Sequence, residues 1–262
     1  MHALIKYLRG SRGMVISYSG GLDSTFLAAV AQELIPGLTR CVLLDSPLVP
    51  RRTIDEAESR AAYFKIRCEI VPFPILGDEE FKKNPIARCY ICKKRAAAVL
   101  WKKAAQYGMN DVVDGVNCSD YKEFRPGIRA ADEEGIIHPL AECRFTKPMI
   151  RAISKERGYP FWDLTSAPCL ATRIPYGHEI TKDLLERIEY AEDFLIDSGF
   201  YQVRVRTHGN LARIEVPESD MPRLLGDRDK ITCRMRELGF LYCTLDLEGI
   251  QSGSMDREIA LF

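Results

Sequence analysis

Short apolar runs alternate with amphipathic stretches through the first 116 residues. The runs are typical of strands buried on both faces, and the stretches repeat apolar residues every three or four positions, as amphipathic helices do. The predicted strands span residues 13–18, 39–45, 68–75 and 111–116. The predicted helices between them span residues 25–35, 51–64 and 87–108. Strands that alternate with helices at this spacing indicate βαβ units, so we expect a parallel α/β sheet.

The pattern changes near residue 165, within a segment rich in proline and small residues, 164–179. Beyond it, the spacing predicts two helices and three strands, the first two strands forming a hairpin around residues 208–210. The predicted helices span residues 181–199 and 218–238, and the predicted strands span 201–207, 211–217 and 240–249. We therefore expect an α/β parallel-sheet domain over residues 1–165 and a smaller C-terminal α+β domain over residues 166–262.

Composition narrows the class of protein. Of 262 residues, 46% are hydrophobic and 28% are charged, which is typical of a soluble globular protein and not of a disordered or fibrous one. Basic and acidic residues number 37 each, so no positive excess favours nucleic acid as a partner. No apolar stretch is long enough to predict a membrane-spanning helix. The N-terminal residues lack the apolar core of a signal peptide, so we expect a cytoplasmic protein.

A glycine-rich segment, SGGLDS at residues 19–24, follows the first predicted strand and precedes the first predicted helix. Its glycines allow positive φ and a close approach to a ligand. The backbone N–H groups and the helix N-terminus would then face an anion, with the hydroxyls of Ser19 and Ser24 as further donors. The lysine of a Walker A loop is absent, which disfavours a kinase-type γ-phosphate site. Asp23 would suit a divalent cation, and an ordinary strand-to-helix turn is the alternative.

The nine cysteines, an odd number in a chain without an export signal, predict reduced thiols and not a disulfide framework. Cys41 and Cys243 lie in strand-like runs and are predicted to be buried. Cys89 and Cys92 form a C-x-x-C pair near the start of a predicted helix. Residues three apart share a helix face, so these two thiols are candidates for a shared metal or cluster.

Cys169 lies in a segment that reads APCLATRIPYG, with proline before it and Arg173 after it. These neighbours predict an irregular loop in a positive environment. Such an environment favours the thiolate, the form of cysteine that acts as a nucleophile or a metal ligand.

SYSGGLDS resembles the PP-loop of the N-type ATP pyrophosphatases, a superfamily that includes GMP synthetase, NAD synthetase and the tRNA thiolation enzymes. The resemblance implies an adenine nucleotide alpha hydrolase-like fold, cleavage of ATP between its α and β phosphates with Mg²⁺, and transfer of AMP to a substrate oxygen. The implied ATP-binding residues are Ser19, Gly20, Gly21, Asp23, Ser24, Asp45 and Gly115. Asp45 has a simpler alternative role as a turn former at a strand end. Eighteen residues precede Ser19, so we expect no glutamine amidotransferase domain, and use of free ammonia stays open.

Further segments resemble the LarE type of the ATP-dependent sacrificial sulfur transferases, over nearly the whole chain. These segments are SGGLDS, NPIARCYICKK, DGVNCSDYKEFRPGIRAADEEGI, SAPCLATRIPYG, VRVRTHGNLARIEV and LDLEGIQSGSM. The resemblance implies an enzyme that converts carboxylates of a pyridinium mononucleotide into thiocarboxylates for the nickel-pincer cofactor. It also implies sulfide or another sulfur donor as a partner, and we expect a homo-oligomer.

The LarE type has two cysteine patterns. In one, a single cysteine gives up its own sulfur. In the other, three cysteines are thought to hold a [4Fe–4S] cluster that relays sulfide. Cys89, Cys92 and Cys169 match the second pattern, with two core thiols or a zinc site as alternatives for the C-x-x-C pair. Cys169, Asp23 and Arg173 are the implied catalytic residues, whereas Cys118 departs from the family pattern and receives no role.

A mononucleotide substrate brings a phosphate, for which arginines are the natural partners. Arg204 and Arg206 lie two apart in a predicted strand and so share one sheet face. The resemblance places a phosphate site in this region, which makes Arg204, Arg206 and His208 candidates, while a solvated charged strand face is the alternative. His138, which precedes a proline, is predicted to be structural.

Two other functions remain open. A tRNA thiolation enzyme also combines a PP-loop with three cysteines, but it should carry an RNA-binding module or a basic surface, and neither is visible here. A regulatory protein that binds ATP without turnover is the third possibility. Asp23 and Cys169 argue against that role, because ATP binding alone requires neither.

Overall fold

The computed structural model describes residues 1–122, 125–164, 169–251, 254–255 and 257. The chain forms two compact units, one of residues 1–75 and 87–167 and one of residues 76–86 and 168–262. The division predicted between residues 165 and 166 falls outside the described residues and stays a prediction. Residues 76–86, which the sequence places in the first domain, group with the second unit.

The described residues include counterparts of the predicted strands and helices, together with helices that the sequence pattern did not predict. The helices are α1 His2–Gly10, α2 Leu22–Leu34, α3 Arg51–Tyr63, α4 Glu79–Lys82, α5 Arg88–Tyr107, α6 Pro126–Glu133, α7 Pro139–Glu142, α8 Lys147–Glu156, α9 Lys182–Asp197, α10 Met221–Gly226 and α11 Arg228–Glu237. The strands are β1 Met14–Tyr18, β2 Thr39–Asp45, β3 Cys68–Pro72, β4 Asp111–Val113, β5 Arg204–His208, β6 Leu211–Glu215 and β7 Tyr242–Leu245. No helix within these described residues is both long and apolar enough to cross a membrane.

The first unit contains a parallel sheet in the order β3-β2-β1-β4. β1 is central, and its side chains alternate between two apolar layers. Met14, Ile16 and Tyr18 pack into the layer that contains α1 and α2, while Val15 packs on the opposite face with apolar residues of α5. Burial on both faces explains why β1 reads as a continuous apolar run. The α/β class predicted from the sequence is confirmed.

The second unit contains a three-stranded sheet in the order β5-β6-β7. β5 and β6 form the predicted antiparallel hairpin, whose connection is Gly209–Asn210, with Gly209 at φ +62°. β7 pairs with β6 in parallel. This small sheet carries apolar residues of α9, α10 and α11 in its core, which confirms the smaller α+β part of the predicted fold.

Residues 76–86 join the second unit through backbone and amide contacts. The buried Asn84 side chain donates to the carbonyl of Pro175 at 2.8 Å, and the backbone carbonyl of Asn84 accepts from the N–H of Gly177 at 2.9 Å. The N–H of Ile180 donates to the carbonyl of Lys82 at 2.8 Å. The strand predicted over residues 68–75 is wrong at its C-terminal end, because β3 ends at Pro72 and the chain then leaves the sheet.

Candidate active site

The SGGLDS segment forms the turn between β1 and α2. β1 ends at Tyr18 and α2 begins at Leu22, so the second half of the motif is helical. Gly20 has φ +72°, and a Cβ atom there would lie 2.3 Å from Cβ of Ala57 in α3. Both the left-handed backbone and the tight approach of α3 therefore require glycine at position 20.

The hydroxyls of the loop hold its shape. Ser19 Oγ lies 3.0 Å from Ser24 Oγ, and Ser24 Oγ also donates to the carbonyl of Gly21 at 3.2 Å. The N–H of Thr25 makes the first bond of the α-helical type, to Gly21 at 3.0 Å. The N–H groups of Leu22 to Ser24 precede that bond and belong to the donors that a helix N-terminus offers to an anion. The predicted phosphate loop thus has the geometry of an anion site.

Gly115 lies directly against this loop. A Cβ atom at position 115 would lie 2.7 Å from the backbone nitrogen of Ser24 and 3.0 Å from its Cα. The turn after β4 therefore approaches the first turn of α2 at a distance that only glycine allows. The structure brings together the predicted nucleotide residues Ser19, Ser24 and Gly115, although they come from two separate parts of the chain.

Asp23, in the first turn of α2, is largely buried and forms an ion pair with Lys147. Lys147 Nζ lies 2.6 Å from Asp23 Oδ2. Burial raises the pKa of Asp23 above its ordinary value, although the Lys147 ammonium works in the opposite direction. Asp23 Oδ1 is buried and has no hydrogen-bond partner among the described residues. An unsatisfied carboxylate oxygen at a helix N-terminus fits a divalent cation such as Mg²⁺.

Lys147, Asp120 and Arg125 act electrostatically on Asp23, and the sequence pattern predicts a role for none of them. Lys147 begins α8, and its N–H donates to Ser119 Oγ at 3.0 Å. Asp120 is buried, pairs with Arg125 at 2.7 Å, and adds a negative field at Asp23. A lone lysine before a proline carries no periodic signal, so only the fold reveals that Lys147 meets a residue 124 positions earlier.

Asp45, at the end of β2, forms an ion pair with Arg51. Arg51 Nη1 lies 2.5 Å from Asp45 Oδ1, and Arg51 Nη2 donates to the carbonyl of Ser46 at 2.8 Å. These contacts tie the strand end to the first turn of α3 and support the alternative role of a strand-end residue. Contact between Asp45 and adenosine stays a prediction.

The three cysteines of the cluster hypothesis lie in different units. Cys89 and Cys92 occupy the first turn of α5 in the first unit, with Cys89 exposed and Cys92 half-buried. Cys169 belongs to the second unit and precedes a 3₁₀ turn, Leu170–Arg173. Residues 165–168, which precede Cys169, lie outside the described residues. Within the described part of the chain, no three Cys, His, Asp or Glu side chains form a group suited to a metal ion, so the cluster gains no support.

Two of the predicted arginines are buried in ion pairs. Arg206 is 3% exposed, with Nε 2.5 Å from Oε1 of the fully buried Glu215. Arg173 is also 3% exposed and donates through Nε and Nη2 to Glu192 at 2.7 and 3.1 Å. The expectation of a free positive charge beside Cys169 is wrong, because the carboxylate of Glu192 neutralises the Arg173 guanidinium.

Arg204 differs from these two arginines. It is only partly buried and donates to the carbonyl of Gln251 at 3.0 Å, and it has no carboxylate partner among the described residues. Desolvation lowers the pKa of Arg204, and the nearby guanidiniums of Arg173 and Arg206 act in the same direction. A bound anion would offset both effects. His208, the third candidate, ends β5 and is half-buried.

Comparison with known proteins decides the family. No family model matches the chain. The pyridinium-3,5-bisthiocarboxylic acid mononucleotide synthase of Lactiplantibacillus plantarum is 32% identical over 254 residues, which cover 97% of this chain and 92% of that protein. This chain belongs to the LarE family of the PP-loop superfamily. Uncharacterized proteins of Synechocystis and of Methanocaldococcus jannaschii are 40% and 31% identical to this LarE-type chain. They match over 93% and 91% of it and over 91% and 90% of their own lengths.

Proposed function

We propose that this LarE-type protein is an ATP-dependent sulfur transferase that adenylates a carboxylate of a pyridinium mononucleotide and replaces one carboxylate oxygen with sulfur. The observation that carries the proposal is the anion site at the start of α2, with the unsatisfied Asp23 Oδ1 beside it. The name of the Lactiplantibacillus relative, a mononucleotide synthase with a thiocarboxylic product, supports the substrate class.

In the first step, the substrate carboxylate attacks the α-phosphorus of ATP, and pyrophosphate leaves. The N–H groups at the start of α2, with the hydroxyls of Ser19 and Ser24, stabilise the negative charge on pyrophosphate. Asp23 would hold Mg²⁺ through Oδ1, and the ion would neutralise charge on the phosphates. Lys147 holds the other carboxylate oxygen and so fixes the orientation of Asp23.

In the second step, sulfur attacks the carbonyl carbon of the acyl-adenylate, and AMP leaves with the bonding electron pair. We propose that this sulfur is the Cys169 thiolate, which forms a thioester with the acyl group. Loss of the Cα proton of Cys169 then breaks its Cβ–Sγ bond, so the thiocarboxylate leaves and dehydroalanine stays at position 169. In the alternative route, Cys89, Cys92 and Cys169 would hold a [4Fe–4S] cluster, which would supply bound sulfide as the nucleophile. Because no group of three metal ligands is found in the described residues, no step here depends on a cluster. Arg204 would bind the substrate phosphate, with the buried Arg206 two residues along the same strand face.

Pyrophosphate release in the presence of ATP, Mg²⁺ and a pyridinium dicarboxylate mononucleotide tests the first step. Asp23→Asn should reduce the rate at least about a hundredfold, since a charge that stabilises the transition state is lost. Asp183→Asn is the matched control, because Asp183 holds the same first-turn position in α9 but is exposed and belongs to the second unit. Equal rates for Asp23→Asn and the wild type would reject the proposed role of the loop.

A further inference from the structure

A buried carboxylate stands at the end of β4, one residue before Gly115. Asp114 is 4% exposed, and its two oxygens are both engaged. Oδ1 accepts from the N–H of Val116 at 3.0 Å and lies 2.6 Å from Nδ1 of His138. Oδ2 lies 2.8 Å from Nζ of Lys93 in α5. Three groups from three places in the chain thus fix this one side chain.

His138 bridges Asp114 to a second carboxylate. Its Nε2 lies 3.1 Å from Oδ1 of Asp132 in α6. His138 is 5% exposed, whereas the Asp132 side chain is 53% exposed. Both border a cavity of about 450 Å³ in the first unit. The other titratable groups that line this cavity are Cys118, Tyr121 and Glu142.

The position of Asp114 controls the position of Gly115. The backbone of this strand end is tied to the segment before α7, because the N–H of Asp114 donates to Ile137 at 3.1 Å and the N–H of Ile137 donates to Val112 at 2.9 Å. Gly115 leaves no space toward Ser24, because a Cβ atom at position 115 would lie only 2.7 Å from the backbone nitrogen of Ser24. A shift of a few tenths of an ångström in the turn after β4 therefore displaces the phosphate loop or opens a gap beside it.

We infer that Asp114 and His138 are positioning residues for the nucleotide loop, which they act on through Gly115 and without touching ATP. The inference rests on the proposed function only in taking the SGGLDS loop as the ATP site. It also gives His138, predicted to be structural, a role that a binding measurement can separate from a contribution to stability.

The charge states of the network agree with this geometry. Burial opposes the charged form of Asp114, but Lys93 and His138 together hold the pKa of its carboxyl well below the ordinary value. Burial also opposes the imidazolium of His138, but the hydrogen bond and charge of Asp114, aided by Asp132, raise the pKa of His138. A charged His138 donates to both carboxylates. Once deprotonated, it retains one N–H and loses the positive charge that faces Asp114.

Calorimetric binding of ATP with Mg²⁺ to the whole protein tests the inference, because it needs neither the sulfur donor nor the mononucleotide. His138→Gln should bind ATP about five- to tenfold more weakly, a coupling at the lower end of the usual range between linked sites. Asp132→Asn is the matched control. It removes the charge on the outer side of His138 and leaves Asp114 in place, so its affinity should stay within about twofold of the wild type.

A second arm uses pH. ATP affinity of the wild type should fall as the pH rises above about 6.5, the ordinary histidine value, and passes through the raised pKa of His138. The same decline should be absent from His138→Gln. A structural role alone would lower the melting temperature of that variant but leave ATP affinity and its pH profile at wild-type values, and this result would overturn the inference.

Two further results bear on the inference: a His138→Gln variant that does not fold, and a wild-type protein that does not bind ATP. If His138→Gln does not fold, Asp114→Asn takes its place, since the amide oxygen still accepts hydrogen bonds but the charge toward Lys93 is lost. Normal ATP affinity in a folded Asp114→Asn would overturn the inference. Failure of the wild type to bind ATP would instead reject the proposed function, and the inference with it.

Discussion

Replacing Arg206 by alanine removes a guanidinium that is 3% exposed and leaves Glu215 without its closest partner. Glu215 is fully buried, so water cannot replace the lost contact. Breaking a buried ion pair by deleting one member costs about 3–5 kcal/mol. The contact that Glu215 keeps with Arg213 Nη2, at 3.3 Å, is longer than the contact that it loses. Arg206 Nη1 also donates to the carbonyl of Thr172 at 2.8 Å, a bond that disappears with it. We therefore expect Arg206→Ala to lower the free energy of unfolding by about 3–5 kcal/mol.

Arg204→Ala is the matched comparison, because Arg204 lies on the same strand face but is only partly buried. Its loss should change the free energy of unfolding by about 1 kcal/mol or less. If Arg204 binds the substrate phosphate, the KM for the mononucleotide should rise about ten- to a hundredfold, from a lost charge-assisted bond of roughly 1.5–3 kcal/mol. The KM for ATP should stay unchanged.

Urea unfolding followed by circular dichroism gives the stability of both variants, and initial rates of pyrophosphate release give both KM values. A double variant, Arg206→Met with Glu215→Leu, should recover most of the lost stability, since both charges are then absent. The reasoning is refuted if Arg206→Ala unfolds at the wild-type urea concentration. It is also refuted if Arg206→Ala raises the mononucleotide KM in a stable protein while Arg204→Ala has no effect.

Gly115→Ala should weaken ATP binding at least about tenfold, because the new methyl group meets the phosphate loop, and Gly37→Ala, which has open space around it, should bind as the wild type does. An unaltered affinity of Gly115→Ala in calorimetry would contradict this close approach. His138 should stabilise the fold fully below about pH 6.5, its ordinary pKa. That contribution should be lost as the pH rises through its raised folded-state pKa, so His138→Gln should flatten this part of the pH profile of melting temperature. If Cys169 is a cluster ligand, Cys92→Ser in anaerobically prepared protein should abolish both iron binding and turnover with sulfide. Full activity of Cys92→Ser, with Cys169 lighter by one H₂S after a turnover in intact-protein mass spectrometry, would reject the cluster.

The sheet strands were predictable where burial on both faces imposes an unbroken apolar run. β2 was predicted with its observed bounds, residues 39–45, for this reason. The helices of residues 126–156 were not predicted. Pro126, Pro139 and Pro148 all occur there, and in sequence each looks like a break. In the structure each proline lies in the first turn of a helix, where its missing N–H has no intrahelical partner to lose.

The part of the candidate site that lies in short sequence motifs could be predicted, and the part that depends on contacts between distant residues could not. The PP-loop residues and Gly115 came from motif and position, and the structure places them together. The role of Lys147 could be recognised only in the folded structure, because Lys147 lies 124 residues from Asp23 in the sequence. Period-two spacing gave Arg204 and Arg206 a common face, but it could not show that a carboxylate of β6 already neutralises one of them. Whether an arginine is buried depends on the residues of the neighbouring strand, and the residue pattern of one strand does not show which residues those are.

The identity of the products tests the central claim most directly. The protein should be incubated with ATP, Mg²⁺, a sulfur donor and a pyridinium dicarboxylate mononucleotide, and the mixture separated by liquid chromatography with mass detection. We predict AMP and pyrophosphate in equal amounts, together with a mononucleotide in which sulfur replaces one carboxylate oxygen. ADP and orthophosphate as the nucleotide products, or AMP formation with the carboxylates unchanged, would contradict the account.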